Sequence, residues 1–151
     1  MTLNLDPLVS LEGDTDVIVR RDFTHPPARV WRALTEPALI RQWLGSNDLL
    51  RCEMDARTGG SFHFEWKAFH FSGPVLAADP PRRLVFVEHF NGDTTASPTL
   101  TTDLAPHGTG TRMTQVRRYA SAEARAAAIA AGFNDGMDEV YARLEAVLGG
   151  E

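Results

Sequence analysis

Cysteine is nearly absent from this sequence: among 151 residues only Cys52 carries a thiol. A single cysteine cannot close an internal disulfide, which fits a reducing compartment. No run of 18 or more apolar residues occurs, so a membrane-spanning helix is excluded. The opening "MTLNLDPLVSLEGDTD" has no basic head followed by a continuous apolar stretch. No secretory signal is therefore expected, and a cytoplasmic location is. Lysine is limited to Lys67, and the formal charge is −5. That balance argues against a general nucleic-acid binder, because phosphate contacts need a concentrated basic surface. Chemical signatures are missing too. There is no H-E-x-x-H, no Cys-x-x-Cys and no nucleophile elbow, and the five histidines form no recognisable cluster. "GTG" at 108–110 lies in a hairpin turn, unlike a dinucleotide fingerprint at the start of a βαβ unit. Neither a metal nor a cofactor is expected.

What the chain does have is 43% hydrophobic residues, enough for one sizeable core. Residues 1–15 show no sustained period and read as a loose leader, and residues 16–149 as a single domain. "DVIVRRDFT" is a β-branched strand. In "HPPARVWRALTEPALIRQWLG" Pro27 suits a first helical turn, Val30, Trp31 and Leu34 make an apolar stripe, and Pro37 restarts the chain as a second short helix ended by Gly45. Alternating segments follow at "LLRCEMDA", "SFHFEWK", "FHFSGPVLAA" (bent or bulged near Gly73 and Pro74), "LVFVEHF", "TLTTDLAP" and "TRMTQVRRY". After the candidate N-cap Ser121, Ile129, Phe133, Met137, Val140, Tyr141, Leu144 and Leu148 fall at steps of three and four. If unbroken from 122 to 148, that helix is about 40 Å long.

This order predicts an α+β fold, with a curved antiparallel sheet of about seven strands wrapped around a long C-terminal helix. Two short helices follow the first strand. A straight helix against a curved sheet leaves room for an apolar cavity. Gly132 and Gly136 each cost the helix about 1 kcal/mol relative to alanine, and mark either close backbone packing or space for a ligand.

The candidate cavity wall follows from the alternation. Phe64, Trp66, Phe71 and Phe86 come from the sheet, and Phe133, Gly136, Met137 and Tyr141 from the helix. Plain core is the other reading of the aromatics. If Leu84 and Phe86 face the helix, so does Glu88; if Met113 does, so do Gln115, Arg117 and Tyr119. A buried Glu88 needs a partner, and Arg117 is the obvious one. The pair either orients a substrate carbonyl or carboxylate, or is a structural ion pair at the mouth of the core. No two groups have the spacing of acid–base or nucleophilic machinery, and Glu88 and Tyr119 are the only candidates for it. Cys52 reads as a small buried hydrophobe.

"HPPARVWRALTEPALIRQWLG", "GGSFHF", "FSGPVLAADPPRRLVFVEHF" and "GTRMTQVRRYASAEARAAAIAAGFNDGMDEVYARLEAVL" together resemble the activator-of-Hsp90-ATPase-like branch of the START/polyketide cyclase superfamily. The resemblance spans roughly residues 16–148. It implies the helix-grip fold, with a cavity between sheet and C-terminal helix suited to a small apolar or amphipathic molecule, and in many members a homodimer. It supplies no shared catalytic set. Many relatives have Gly-Trp where this chain has Gly136 and Met137. Relatives that stimulate Hsp90 carry an additional N-terminal domain, whereas some 15 residues precede the first strand here. The resemblance implies ligand binding first. A small enzyme of the cyclase or hydratase kind and an Hsp90-activator-like interaction module are the alternatives.

Overall fold

The computed structural model describes residues 8–45, 48–132 and 137–150. Among these described residues, nine strands form one sheet. They are β1 (Val9–Glu12), β2 (Asp16–Phe23), β3 (Leu49–Met54), β4 (Ser61–Trp66), β5 (His70–Asp79), β6 (Arg83–Val87), β7 (His89–Phe90), β8 (Thr99–His107) and β9 (Gly110–Arg118). The order across the sheet is β1-β2-β9-β8-β6-β5-β4-β3, with β7 beside β5, and every pairing is antiparallel. Helices α1 (Pro27–Thr35) and α2 (Pro37–Leu44) follow β2, and α3 (Ala122–Ala130) and α4 (Met137–Gly149) close the chain. This is the expected curved sheet wrapped on a C-terminal helix.

Local chemistry sets these elements. Both Pro27 and Pro37 sit in a first helical turn, where a missing N–H costs nothing. Glu36, between the helices, is extended, and its backbone N–H still closes α1 on the Arg32 carbonyl. The corner is locked from inside by Trp43, whose indole N–H donates to the Ala33 carbonyl at 2.8 Å. Buried amphipathic rings of this kind need such a partner.

Three expectations change. The segment read as a loose leader contains β1, which pairs with β2 from Val9↔Val19 to Glu12↔Asp16 and buries Val9 in the core. Tertiary pairing supplied the order that a short four-residue pattern did not announce.

The strand expected through "LVFVEHF" is two strands. β6 pairs with both β5 and β8, while β7 turns away to pair with β5 alone. The break coincides with the bulge expected near Gly73. A Cβ at Gly73 would lie 1.8 Å from the Val87 carbonyl oxygen, so only glycine lets the backbones approach there.

The single helix expected over 122–148 stops at Ala130. Gly132 adopts φ +86° and its N–H bonds the Ile129 carbonyl at 3.0 Å. A left-handed residue after the last turn is how glycine ends helices, and here it does so inside a run with perfect helical spacing. α3 buries none of its residues. It begins with the expected cap, Ser121 Oγ accepting from the Ala124 N–H at 3.0 Å. Arg125 ties it to the β1–β2 turn through the Gly13 and Asp16 carbonyls. The grip itself is α4, about 20 Å long at ~1.5 Å per residue. Tyr141, Leu144 and Leu148 of α4 are buried with Val17, Val19 and Phe23 of β2, Val30 and Ala33 of α1, and Met113 of β9.

Candidate ligand pocket

Between the sheet and α4, closed on a third side by α1 and α2, lies a pocket of about 250 Å³. Alternation builds its floor. β6 contributes Leu84 and Phe86, β8 contributes Leu100 and Thr102, and β9 contributes Met113, Gln115 and Arg117, in each case residues two apart and so on one face. Phe64 and Trp66 of β4 and Phe71 of β5 continue the wall, and Met137, Val140 and Tyr141 roof it from α4.

The aromatic wall runs outward to the surface. Trp66 stacks on Phe69 at 4.9 Å, Phe69 meets Phe71 at 5.6 Å, and Phe71 meets Phe90 at 5.3 Å. Phe90 is 52% exposed. The turn of β7 away from β6 takes Phe90 off the inward face on which Glu88 remains.

One ion pair interrupts this apolar lining. Arg117 Nη2 donates to Glu88 Oε1 at 2.7 Å, with the two side chains 11% and 18% exposed. Arg117 Nε also reaches the Tyr119 hydroxyl at 3.4 Å. Burial works against the guanidinium's charge, but Glu88 and Tyr119 outweigh it and hold its pKa above the ordinary arginine value. Beside the pair, the Gln115 amide donates to Thr102 Oγ1 at 3.1 Å. Tyr141 is wedged between Phe23 and Trp43, with ring centroids 6.2 and 6.5 Å away. Burial pushes its phenol up to about 12, the nearby Arg117 and Glu88 pulling in opposite directions. At neutral pH it is an uncharged O–H.

Of the residues proposed from sequence, Phe64, Trp66, Phe71, Phe86, Glu88, Gln115, Arg117, Met137 and Tyr141 come together around this one space. Tyr119 is not among the lining residues; it is core, 5% exposed, and its hydroxyl meets Arg117 Nε. Phe133 and Gly136 lie outside the described residues. Sequence reasoning missed the third wall, Leu34 of α1 with Ile40 and Trp43 of α2, although the apolar stripes of both helices were visible. It also missed Thr102, which alternation with Leu100 and Leu104 already pointed inward.

Elsewhere the chemistry is plain. Cys52 is buried with its thiol toward the Pro37 carbonyl, and burial raises its pKa. A second depression between α2 and α4 is lined by Leu39, Gln42, Arg143, Ala146, Val147 and Gly150. Among the described residues, no group of three His, Cys, Asp or Glu side chains is placed to hold a metal ion. No helix among them is long and apolar enough to cross a membrane.

This sheet, its helix and the pocket between them can be set beside known proteins. The sequence model of the family described as "Activator of Hsp90 ATPase homolog 1-like protein" matches residues 24–149. The chain belongs to that family. Its resemblance to the START/polyketide cyclase superfamily is thereby borne out. A protein of Rhodobacter sphaeroides of 29% identity superposes with a TM-score of 0.86, over 95% of this chain and 97% of that one. Protein NE0264 of Nitrosomonas europaea, 26% identical, gives 0.79 over 92% and 97%. Protein Ms6760 of Mycobacterium smegmatis gives 0.79 over 93% and 94%; at 22% identity that likeness speaks for the fold alone. No curated protein matches the sequence. The family's fold is one able to form a ligand-binding groove.

Proposed function

We propose that this protein binds a small amphipathic molecule in the space between the sheet and α4. The observation that carries the reading is an apolar pocket with its few polar groups gathered on one wall, Thr102, Gln115, Arg117 and Glu88. Apolar lining with a small number of convergent polar groups is the usual make-up of small-molecule sites. The volume of about 250 Å³ falls just below the roughly 300–1,000 Å³ typical of pockets for drug-sized ligands. The ligand is therefore compact.

The arrangement supports binding better than catalysis. Arg117 stays protonated, Tyr141 holds its proton at neutral pH, and Glu88 is engaged by Arg117. No described side chain is poised there to take and return a proton.

A thermal-shift screen of compact apolar and amphipathic compounds tests the reading. Stabilisation rising with ligand concentration is expected, as linkage requires of anything that binds the folded state alone. Absence of any shift across the series, at millimolar concentration, would remove the proposal.

A further inference from the structure

The lining of the pocket changes character across the sheet. At the β8–β9 end Leu100, Thr102, Met113 and Arg117 are buried. At the β4–β5 end Phe64, Trp66 and Phe71 are only partly buried. Thr102, Gln115 and Arg117 belong to the first end, and the three rings to the second. The space therefore has a direction, with its polar residues at the buried end and its aromatic residues at the more open one.

Two of those rings belong to a larger cluster. Trp66 and Phe71 meet at 6.3 Å, and both contact Phe69, at 4.9 and 5.6 Å. Phe90 closes on Phe69 and Phe71 at 6.1 and 5.3 Å. Trp66 and Phe71 line the pocket, whereas Phe69 and Phe90 do not. The four rings make one apolar strip that begins in the pocket and ends outside it, where Phe90 is 52% exposed.

The strip is held in place by the backbone beneath it. The Trp66 N–H donates to the Phe69 carbonyl at 2.8 Å, and Phe71 pairs directly with Phe90 between β5 and β7. The His70 N–H donates to Asn91 Oδ1, and the Asn91 N–H to the His70 carbonyl, each at 2.9 Å. Rings fixed in this way lose little freedom when a ligand settles on them. Pairing within the sheet accounts for Phe71 with Phe90. It does not account for Phe69, which lies in the turn between β4 and β5 and belongs to neither strand. A single exposed apolar side chain is unremarkable on any surface; what distinguishes this one is its continuity with the pocket wall.

We infer that the strip is the outer half of the ligand site, taking a flat aromatic ring that extends from the compact body held in the pocket. This rests on the binding reading above, and adds the shape and direction of the ligand: polar end toward β8 and β9, flat apolar end over Phe69 and Phe90. The enclosed volume limits only the part of the ligand inside it.

The test compares indole with 2-phenylindole, the same body carrying one further ring, by equilibrium dialysis against the intact protein. 2-Phenylindole is expected to bind at least about tenfold more tightly, a gain that one more buried ring can supply. In Phe90→Ser the ratio of 2-phenylindole to indole affinity is expected to fall several-fold. Phe69→Leu keeps an apolar side chain but removes the stacked ring; it should lower the ratio in the same way, and serves if Phe90→Ser does not fold. A ratio unchanged in both variants would overturn the strip as a subsite. So would 2-phenylindole binding the unaltered protein no more tightly than indole. In either case the binding of indole leaves the pocket reading intact, whereas failure of both probes to bind would overturn both.

Discussion

Removing Arg117 alone leaves the Glu88 carboxylate, 18% exposed, without a counter-charge in an apolar wall. Breaking one side of such a pair costs about 3–5 kcal/mol, whereas replacing both sides by apolar groups of similar volume is often close to neutral. Arg117→Met is therefore expected to lose about 3 kcal/mol in urea denaturation, and Arg117→Met with Glu88→Leu to recover most of it. A double variant as unstable as the single one would show that the pair contributes through shape rather than charge.

Tyr141 gives a second prediction at this scale, in pH. Its phenol is pushed up from 10.0 to about 12 in the folded protein, chiefly by burial. The folded state then keeps a proton that the unfolded chain has already released. This group leaves stability unchanged below pH about 10, and stability falls as pH rises from there through about 12. Denaturation curves across that window should decline in the unaltered protein and decline less in Tyr141→Phe.

At the level of elements, the decisive position is Gly132. Its φ of +86° lies where an L side chain is strained, so Gly132→Ala is expected to destabilise by about 1 kcal/mol. In an ordinary helix interior the same change would stabilise by about that amount. The sign of the measured shift therefore reads the local backbone directly. The apolar spacing from Ile129 to Leu148 made one long helix the natural expectation, because periodicity records which residues share a face but not whether the backbone stays helical between them. α3 shows the consequence, since it buries no residue and is held by Arg125 and the Ser121 cap. A similar gap between pattern and backbone separates β6 from β7. Side chains kept alternating through "LVFVEHF", while hydrogen bonding moved from two neighbours to one.

Across the whole molecule, the pocket exists because three elements fail to fill the concavity of one sheet. Val140 of α4 lines that space and is only partly buried. Val140→Trp is expected to fill it at a cost within the about 1–3 kcal/mol typical of overpacking. The variant should fold, with circular dichroism like that of the unaltered protein, yet lose ligand-induced thermal stabilisation. Retained stabilisation would place the ligand elsewhere.

Much of this was legible in the residues. Period-two alternation marked the strands, Pro27 and Pro37 the helix starts, and the shared face of Leu84, Phe86 and Glu88 and of Met113, Gln115 and Arg117 brought most of the polar wall into view. These are local properties, fixed by where a strand points successive side chains. Partnership was a different matter. Whether Val9–Glu12 would pair, which space Leu34, Ile40 and Trp43 would close, and that Tyr119 would sit in the core while Tyr141 lines the pocket depend on contacts between residues far apart in the chain. Sequence alone determined which faces are apolar and which inward positions carry charge. Only the tertiary structure decided how those positions meet, setting Arg117 2.7 Å from the Glu88 that the alternation had offered as its partner, beside a space that two short helices close.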